Sequence, residues 1–146
     1  MIYLDSSCLL KLLLEEPESE AVRQAVTREG DVIVSALTEL ETAVQLRAGW
    51  LGGTYRERRY RAYVAHLNAF KEIDPFRFVS LPGTVFQTAL RQHLHARNLH
   101  CRSLDRLHLA AVDELGLRRL MTNDAAQAAG ARVLGFEVLR PGQSSG

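Results

Sequence analysis

Apolar and polar positions fall along the chain in blocks whose length and spacing separate strands from helices. Met1 to Leu4 is an apolar run that stops at Asp5, as a buried strand does on entering a polar turn. Residues 8–14 read as a short helix ended by Glu15-Glu16-Pro17, because proline cannot continue the helical hydrogen-bond ladder. Glu18 to Glu29 predicts an amphipathic helix closed by Gly30. Asp31 to Val34 predicts a second strand, with Ser35 as cap of a helix from Ala36 to about Trp50. After the break at Gly52-Gly53, a long helical pattern runs from Tyr55 to about Glu72. On it Tyr60, Tyr63, Val64, Leu67 and Phe70 recur at helical spacing, which marks core or a subunit interface.

The second half repeats the alternation. Arg77 to Leu81 predicts a third strand, and Pro82-Gly83-Thr84 starts a helix to about Arg97. A polar loop, Asn98 to Arg102, leads to Ser103 and a helix over Leu104–Leu115 ended by Gly116. Leu117–Met121 predicts a fourth strand, Asp124–Ala129 a short helix and Val133–Leu139 a fifth strand. Strands alternating with helices predict an α/β fold, a central parallel sheet of about five short strands with helices on both faces. One domain over 1–140 and a flexible tail over 141–146 account for the whole chain.

Ligands of such sheets bind beyond the carboxyl ends of the strands. Asp5 follows the first predicted strand and Asp124 the fourth, so both fall on that edge. Either also suits a helix N-cap, and Asp124 with Gln127 resembles a capping box. Asp105 sits in the first turn of its helix, where a negative charge meets the helix dipole favourably. On the helix from Ala36, Leu37, Leu40, Val44 and Ala48 form one apolar stripe. Glu41 lies at its edge, turned towards the interior, whereas Glu39 points away into solvent. A carboxylate facing the interior must be paired, protonated or bound to a cation, so Glu41 is the acid that needs explaining.

The 146 residues carry 18 Lys+Arg against 17 Asp+Glu, a net charge of +1 that by itself speaks against a strongly basic nucleic-acid binder. Setting Asp5, Glu41, Asp105 and Asp124 aside turns +1 into +5 for the rest of the chain, so the balanced total conceals an acidic site in a moderately basic protein. Arg56, Arg58, Arg59 and Arg61 carry much of the excess, with Arg47 nearby. They read as a phosphate-contacting patch, against the alternatives of a solvated helix end or a contact for an acidic partner. Cys8 and Cys101 match neither a disulfide framework nor a zinc pattern and read as buried apolar residues. His108 reads as a packed or hydrogen-bonded histidine, and His93, His95 and His100 match no zinc spacing. Met1 runs into the first strand without a basic leader, and the apolar stretch from Cys8 to Leu14 is broken by Lys11 and short of a membrane span. A reducing cytoplasm is the expected location.

Four segments in order then carry a resemblance: Tyr-Leu-Asp-Ser-Ser at 3–7, Ser-Ala-Leu-Thr-Glu-Leu-Glu at 35–41, Leu-Asp-Arg-Leu-His-Leu-Ala-Ala at 104–111 and Thr-Asn-Asp at 122–124. Together the chain resembles a PIN domain of the small VapC type found as toxins of toxin–antitoxin pairs, from Ile2 to about Leu139. The resemblance implies a single nuclease domain whose site acids are Asp5, Glu41, Asp105 and Asp124, and it selects Glu41 over Glu39 as the helix face does. One departure is Gln127, where relatives often carry a large apolar residue.

Clustered carboxylates without Cys or His favour hard cations, Mg²⁺ or Mn²⁺ over zinc. Such a cation activates water and neutralises phosphate charge, which the residues alone assign to phosphodiester or phosphoryl chemistry. The resemblance adds RNA as substrate, a small antitoxin protein as inhibitor and a homodimer. Asp5, Asp105 and Asp124 are expected as ligands, Glu41 as a ligand or water holder, and Ser6, Thr122 and Asn123 as groups that orient them. Two other readings compete. An aspartyl phosphatase or phosphotransferase also has an aspartate after its first strand, but needs a second acid two residues on, where this chain has Ser7. A catalytically silent binding module would use the same acids for a structural ion or a partner.

Overall fold

The computed structural model describes residues 1–96 and 99–143. Arg97 and Asn98, at the predicted end of a helix and start of a loop, and Ser144 to Gly146 of the predicted tail lie outside the described residues. Strand β1 (Ile2–Leu4) runs into α1 (Ser6–Leu13) through Asp5, which caps the helix by accepting from the Cys8 N–H at 3.2 Å. Helix α2 (Ser19–Thr27) returns the chain to β2 (Val32–Ser35). Ser35 caps α3 (Ala36–Leu51) by accepting from the Thr38 N–H at 3.2 Å. The predicted Tyr55–Glu72 helix is α4 (Glu57–Ala69) tightened into a 3-10 turn over Phe70–Glu72. Strand β3 (Phe76–Val79), α5 (Val85–His95), α6 (Ser103–Glu114), β4 (Arg119–Met121), α7 (Ala125–Val133) and β5 (Glu137–Leu139) complete the order.

The five strands form one parallel sheet in the order β3-β2-β1-β4-β5. Alternation along the strands divides the interior into two cores. Ile2, Leu4, Val32, Val34 and Met121 pack with Leu9, Val22 and Val26 on one face. Tyr3, Ile33 and Leu120 pack with Leu109 and Val112 of α6 on the other. Burial on both faces is why these strands read as apolar runs. Of the long-helix residues, Leu67 and Phe70 are buried, while Tyr60 and Tyr63 pack partly buried against the first core. Cys8 and Cys101 are buried and unpaired, and no described helix is long and apolar enough to cross a membrane.

Two expectations are corrected. Helix α7 does not stop near Ala129, and Val133 belongs to it instead of the last strand. Gly130 is a close-approach residue inside the helix, because a Cβ there would lie 2.9 Å from Leu109 Cδ1 and 3.0 Å from Cys101 Sγ. The turn comes later, where Gly135 takes φ +81°. On α3 the buried positions are Thr38, Thr42 and Leu46, not the apolar stripe. Leu40 and Val44 are 61% and 55% exposed, and Phe86, Leu90 and Leu94 form a second outward stripe on α5. Apolar spacing on these helices marks surface instead of core. Thr38 can face inward because its hydroxyl donates to Leu4 O at 3.0 Å.

Candidate active site

With β1 in the centre, the chain builds the sheet outward through β2 and β3, then resumes on the other side at β4. The crevice between β1 and β4 is therefore the switch point at which α/β sheets bind ligands. Asp5 ends β1 there and Asp124 follows β4, while α3 brings Glu41 and α6 brings Asp105 to the same cleft of about 420 Å³. A larger groove of about 600 Å³, lined by Arg28, Arg132 and Arg140 between α2 and the segment after β5, holds none of these acids.

Asp5 is the most enclosed acid, 4% exposed. It accepts from Ser7 Oγ at 2.6 Å and the Cys8 N–H on Oδ1, and from the Thr122 hydroxyl on Oδ2. Burial raises its pKa, opposed by the nearby His108 ring and by hydrogen bonds from Ser7, Thr122 and the Cys8 N–H. Asp124 caps α7, accepting from the Gln127 N–H at 2.9 Å. Asp105 and Asp124 share Arg102, whose Nε lies 3.1 Å from Asp105 Oδ2 and whose Nη2 lies 3.8 Å from Asp124 Oδ2. Glu41 is bound through Oε1 to His108 Nε2. Glu39 is not simply solvated, since it pairs with Lys71 at the surface.

The expected supporting residues divide. Thr122 contacts Asp5 and accepts from the Asp124 N–H at 3.0 Å. Ser6 lines the cleft, but it is Ser7, given no supporting role in the sequence reading, that makes the bond to Asp5 and also accepts from the Asn123 N–H at 2.9 Å. The Asn123 side chain is buried without a hydrogen-bond partner among the described residues and touches none of the four acids by such a bond. Arg56, Arg58 and Arg59 line a separate shallow surface with Thr54, Tyr55 and Ala62, and Arg61 is paired with Glu57 at 2.7 Å. None of them enters the acidic cleft. Arg102 does, and its place three residues before Asp105, at contact spacing in a helix, was the available signal.

Among the described residues, no three His, Cys, Asp or Glu side chains stand close enough together to hold a metal ion as they are arranged. Asp105 and Asp124 are drawn instead to a guanidinium, the cation this chain itself supplies. The donor chemistry nevertheless suits a hard divalent cation: four carboxylates line one cleft, and the Gln127 carbonyl in its wall is buried with no partner among the described residues. A metal and Arg102 are therefore competitors for the same two carboxylates.

Residues 2–133 match the PIN domain family. The chain belongs to the PIN domain family. This PIN chain is 34% identical over 142 residues to a protein named ribonuclease VapC46 of Mycobacterium tuberculosis, spanning 96% of this chain and 97% of the relative. Its fold is similar to the crystal structure of VapC20 from the same species, described as a sarcin-ricin loop cleaving toxin, with TM-score 0.72, 17% identity and coverage of 97% and 100%. It is also similar to a chain in a toxin–antitoxin complex from Klebsiella pneumoniae, with TM-score 0.65, 16% identity and coverage of 97% and 98%. The α/β architecture with a five-stranded parallel sheet is that of these neighbours. Ser7, at the position where an aspartyl phosphotransferase needs its second acid, serves this PIN chain as a donor to Asp5.

Proposed function

We propose that this chain is a Mg²⁺- or Mn²⁺-dependent endoribonuclease, the toxin of a VapBC-type toxin–antitoxin pair. The observation that carries the reading is the convergence of Asp5, Glu41, Asp105 and Asp124, from four separate segments, on the cleft at the sheet's switch point. Membership of the PIN family and likeness along the whole chain to a protein named ribonuclease support it.

Asp5, Asp105 and Asp124 would hold the cation, with Glu41 as a further ligand or as the group that orients water. When bound, the metal supplies a water of lowered pKa and charge to offset that of the phosphate. The chain's own contribution is orientation. Three donors hold Asp5 in one rotamer at the end of β1. Asp124 is held by the first turn of α7. Arg102, once off the carboxylates, offers its planar fork of N–H donors to phosphate oxygens at the mouth of the cleft. Its side chain is 73% exposed and free to swing.

The same contact supports an antitoxin that inhibits by a basic side chain, because Asp105 and Asp124 already accept a guanidinium. Self-association into a homodimer and antitoxin binding would both cover the apolar stripes that α3 and α5 turn to water. A cytoplasmic location agrees with two unpaired cysteines. Incubating the purified protein with RNA and Mg²⁺ or Mn²⁺, with and without EDTA, tests the reading. Metal-dependent internal cleavage is expected. Hydrolysis of a small phosphomonoester without RNA cleavage would favour the phosphatase, and metal binding without either would favour the silent module.

A further inference from the structure

Behind the acidic cleft lies a line of buried polar side chains that metal binding and hydrolysis do not require. Tyr3, Ser35 and Thr38 are completely buried and His108 is 3% exposed. Tyr3 Oη is 2.7 Å from Ser35 Oγ and 2.7 Å from His108 Nδ1, and His108 Nε2 meets Glu41 Oε1. Buried polar groups in an apolar core are costly unless each is satisfied, so the bond directions follow from the distances and from counting hydrogens.

The Thr38 N–H donates to Ser35 Oγ, and the Thr38 hydroxyl has Leu4 O as its nearest acceptor at 3.0 Å. Of the two hydroxyl oxygens within reach of Ser35 Oγ, Tyr3 Oη at 2.7 Å is much closer than Thr38 Oγ1 at 3.3 Å, so the serine hydrogen goes to Tyr3. Burial pushes the Tyr3 pKa up, so the phenol stays protonated, and its single hydrogen goes to His108 Nδ1. In the neutral ring an accepting Nδ1 leaves the hydrogen on Nε2, where it faces the Glu41 carboxylate. The reverse direction would set the Nε2 lone pair against that carboxylate and is unfavourable. The line also closes on itself, since Ser35 is the N-cap of α3 and Glu41 lies on the same helix.

We propose that His108 is a positioning residue for Glu41, locked by Tyr3 in the Nε2–H tautomer so that Oε1 is held and Oε2 is left to the cleft. The proposal rests on the nuclease reading for what Glu41 does, but the tautomer does not depend on it. Donors to metal-binding side chains typically change metal affinity or activity about 10- to 100-fold when lost.

The test uses Tyr3→Phe, which removes one oxygen and adds no volume, alongside His108→Gln and His108→Ala. Ring nitrogen NMR at alkaline pH should show His108 as the Nε2–H tautomer in the wild type and as a mixture in Tyr3→Phe. Mn²⁺ affinity, measured by calorimetry without RNA, should fall several-fold in Tyr3→Phe and about tenfold in His108→Ala. His108→Gln, whose amide can donate to Glu41, should recover part of the loss. In RNA cleavage, kcat should fall with KM little changed. An Nδ1–H ring in the wild type, or unchanged Mn²⁺ affinity in all three variants, overturns the proposal. A wild type that shows the Nε2–H tautomer but neither binds Mn²⁺ nor cleaves RNA overturns the nuclease reading instead.

Discussion

Replacing Asp5 by Asn should stabilise the metal-free protein while destroying its function. The substitution keeps shape, and the hydrogen bonds can be retained one by one. Asn Oδ1 still accepts from Ser7 Oγ and the Cys8 N–H, and its Nδ2 can donate to a Thr122 hydroxyl that turns to accept. What disappears is a buried negative charge. Because burial raises the Asp5 pKa above its ordinary value, folding favours the protonated form. Its stabilising contribution is complete below the unfolded-state pKa and is lost as pH rises through the higher folded-state pKa. At neutral pH the wild type thus carries a penalty that the Asn variant lacks. A single stabilising change of this kind is worth about 1 kcal/mol, or roughly 2–4 °C in Tm for a chain of this length.

Thermal melts in EDTA at neutral pH should show that gain, and melts at a pH below the ordinary carboxyl range should show it vanish. Saturating Mn²⁺ should reverse the order. At about 100 times Kd the wild type gains about 2.7 kcal/mol from binding, which exceeds the Asn advantage. A variant less stable than wild type in EDTA at neutral pH would refute the claim that Asp5 is held against its own preference. An unchanged order in Mn²⁺ would refute its role as a ligand.

Other outcomes follow from neighbouring contacts. Arg102→Ala should tighten Mn²⁺ binding roughly two- to fivefold, the scale of an exposed ion pair; calorimetry showing weaker binding would mean that the guanidinium supports the site. Arg56→Glu, Arg58→Glu and Arg59→Glu combined should flatten the salt dependence of single-stranded RNA binding by a slope of roughly 2 if all three meet phosphates; an unchanged slope leaves that surface to a protein partner. Gly49→Ala should cost roughly 1–3 kcal/mol by overpacking, since the new Cβ would lie 2.5 Å from Tyr55 Cζ and 2.8 Å from Cε1. A melt unchanged from wild type would show that the α3–α4 corner gives way freely.

The strands and the order of helices were legible because each strand is a short apolar run bounded by a turn residue, and because Asp5 and Asp124 stand where strands end. Helix faces were less legible. On α3 the threonines go inside because Leu4 O and the Ser35 cap satisfy Thr38, whereas Leu40 and Val44 face water. Periodicity reports which residues share a face, not which face is covered by the same chain. Glu41 reaches the cleft and Glu39 does not, but not because its stripe is interior. The Asp124–Ala129 reading ends α7 too early because sequence spacing does not show that Gly130 sits inside the helix with Leu109 and Cys101 pressed against it. The line from Ser35 through Tyr3 and His108 to Glu41 joins residues up to 105 positions apart, so no local pattern contains it.

Single-turnover cleavage of a labelled RNA by the purified wild type, Asp5→Asn and Asp124→Asn proteins, each with Mn²⁺ and with EDTA, tests the central claim most directly. Internal cleavage is expected from the wild type with metal and none in EDTA, with cleavage lost in both variants while their melts remain cooperative. Full activity in either folded variant, or cleavage that persists in EDTA, would contradict it.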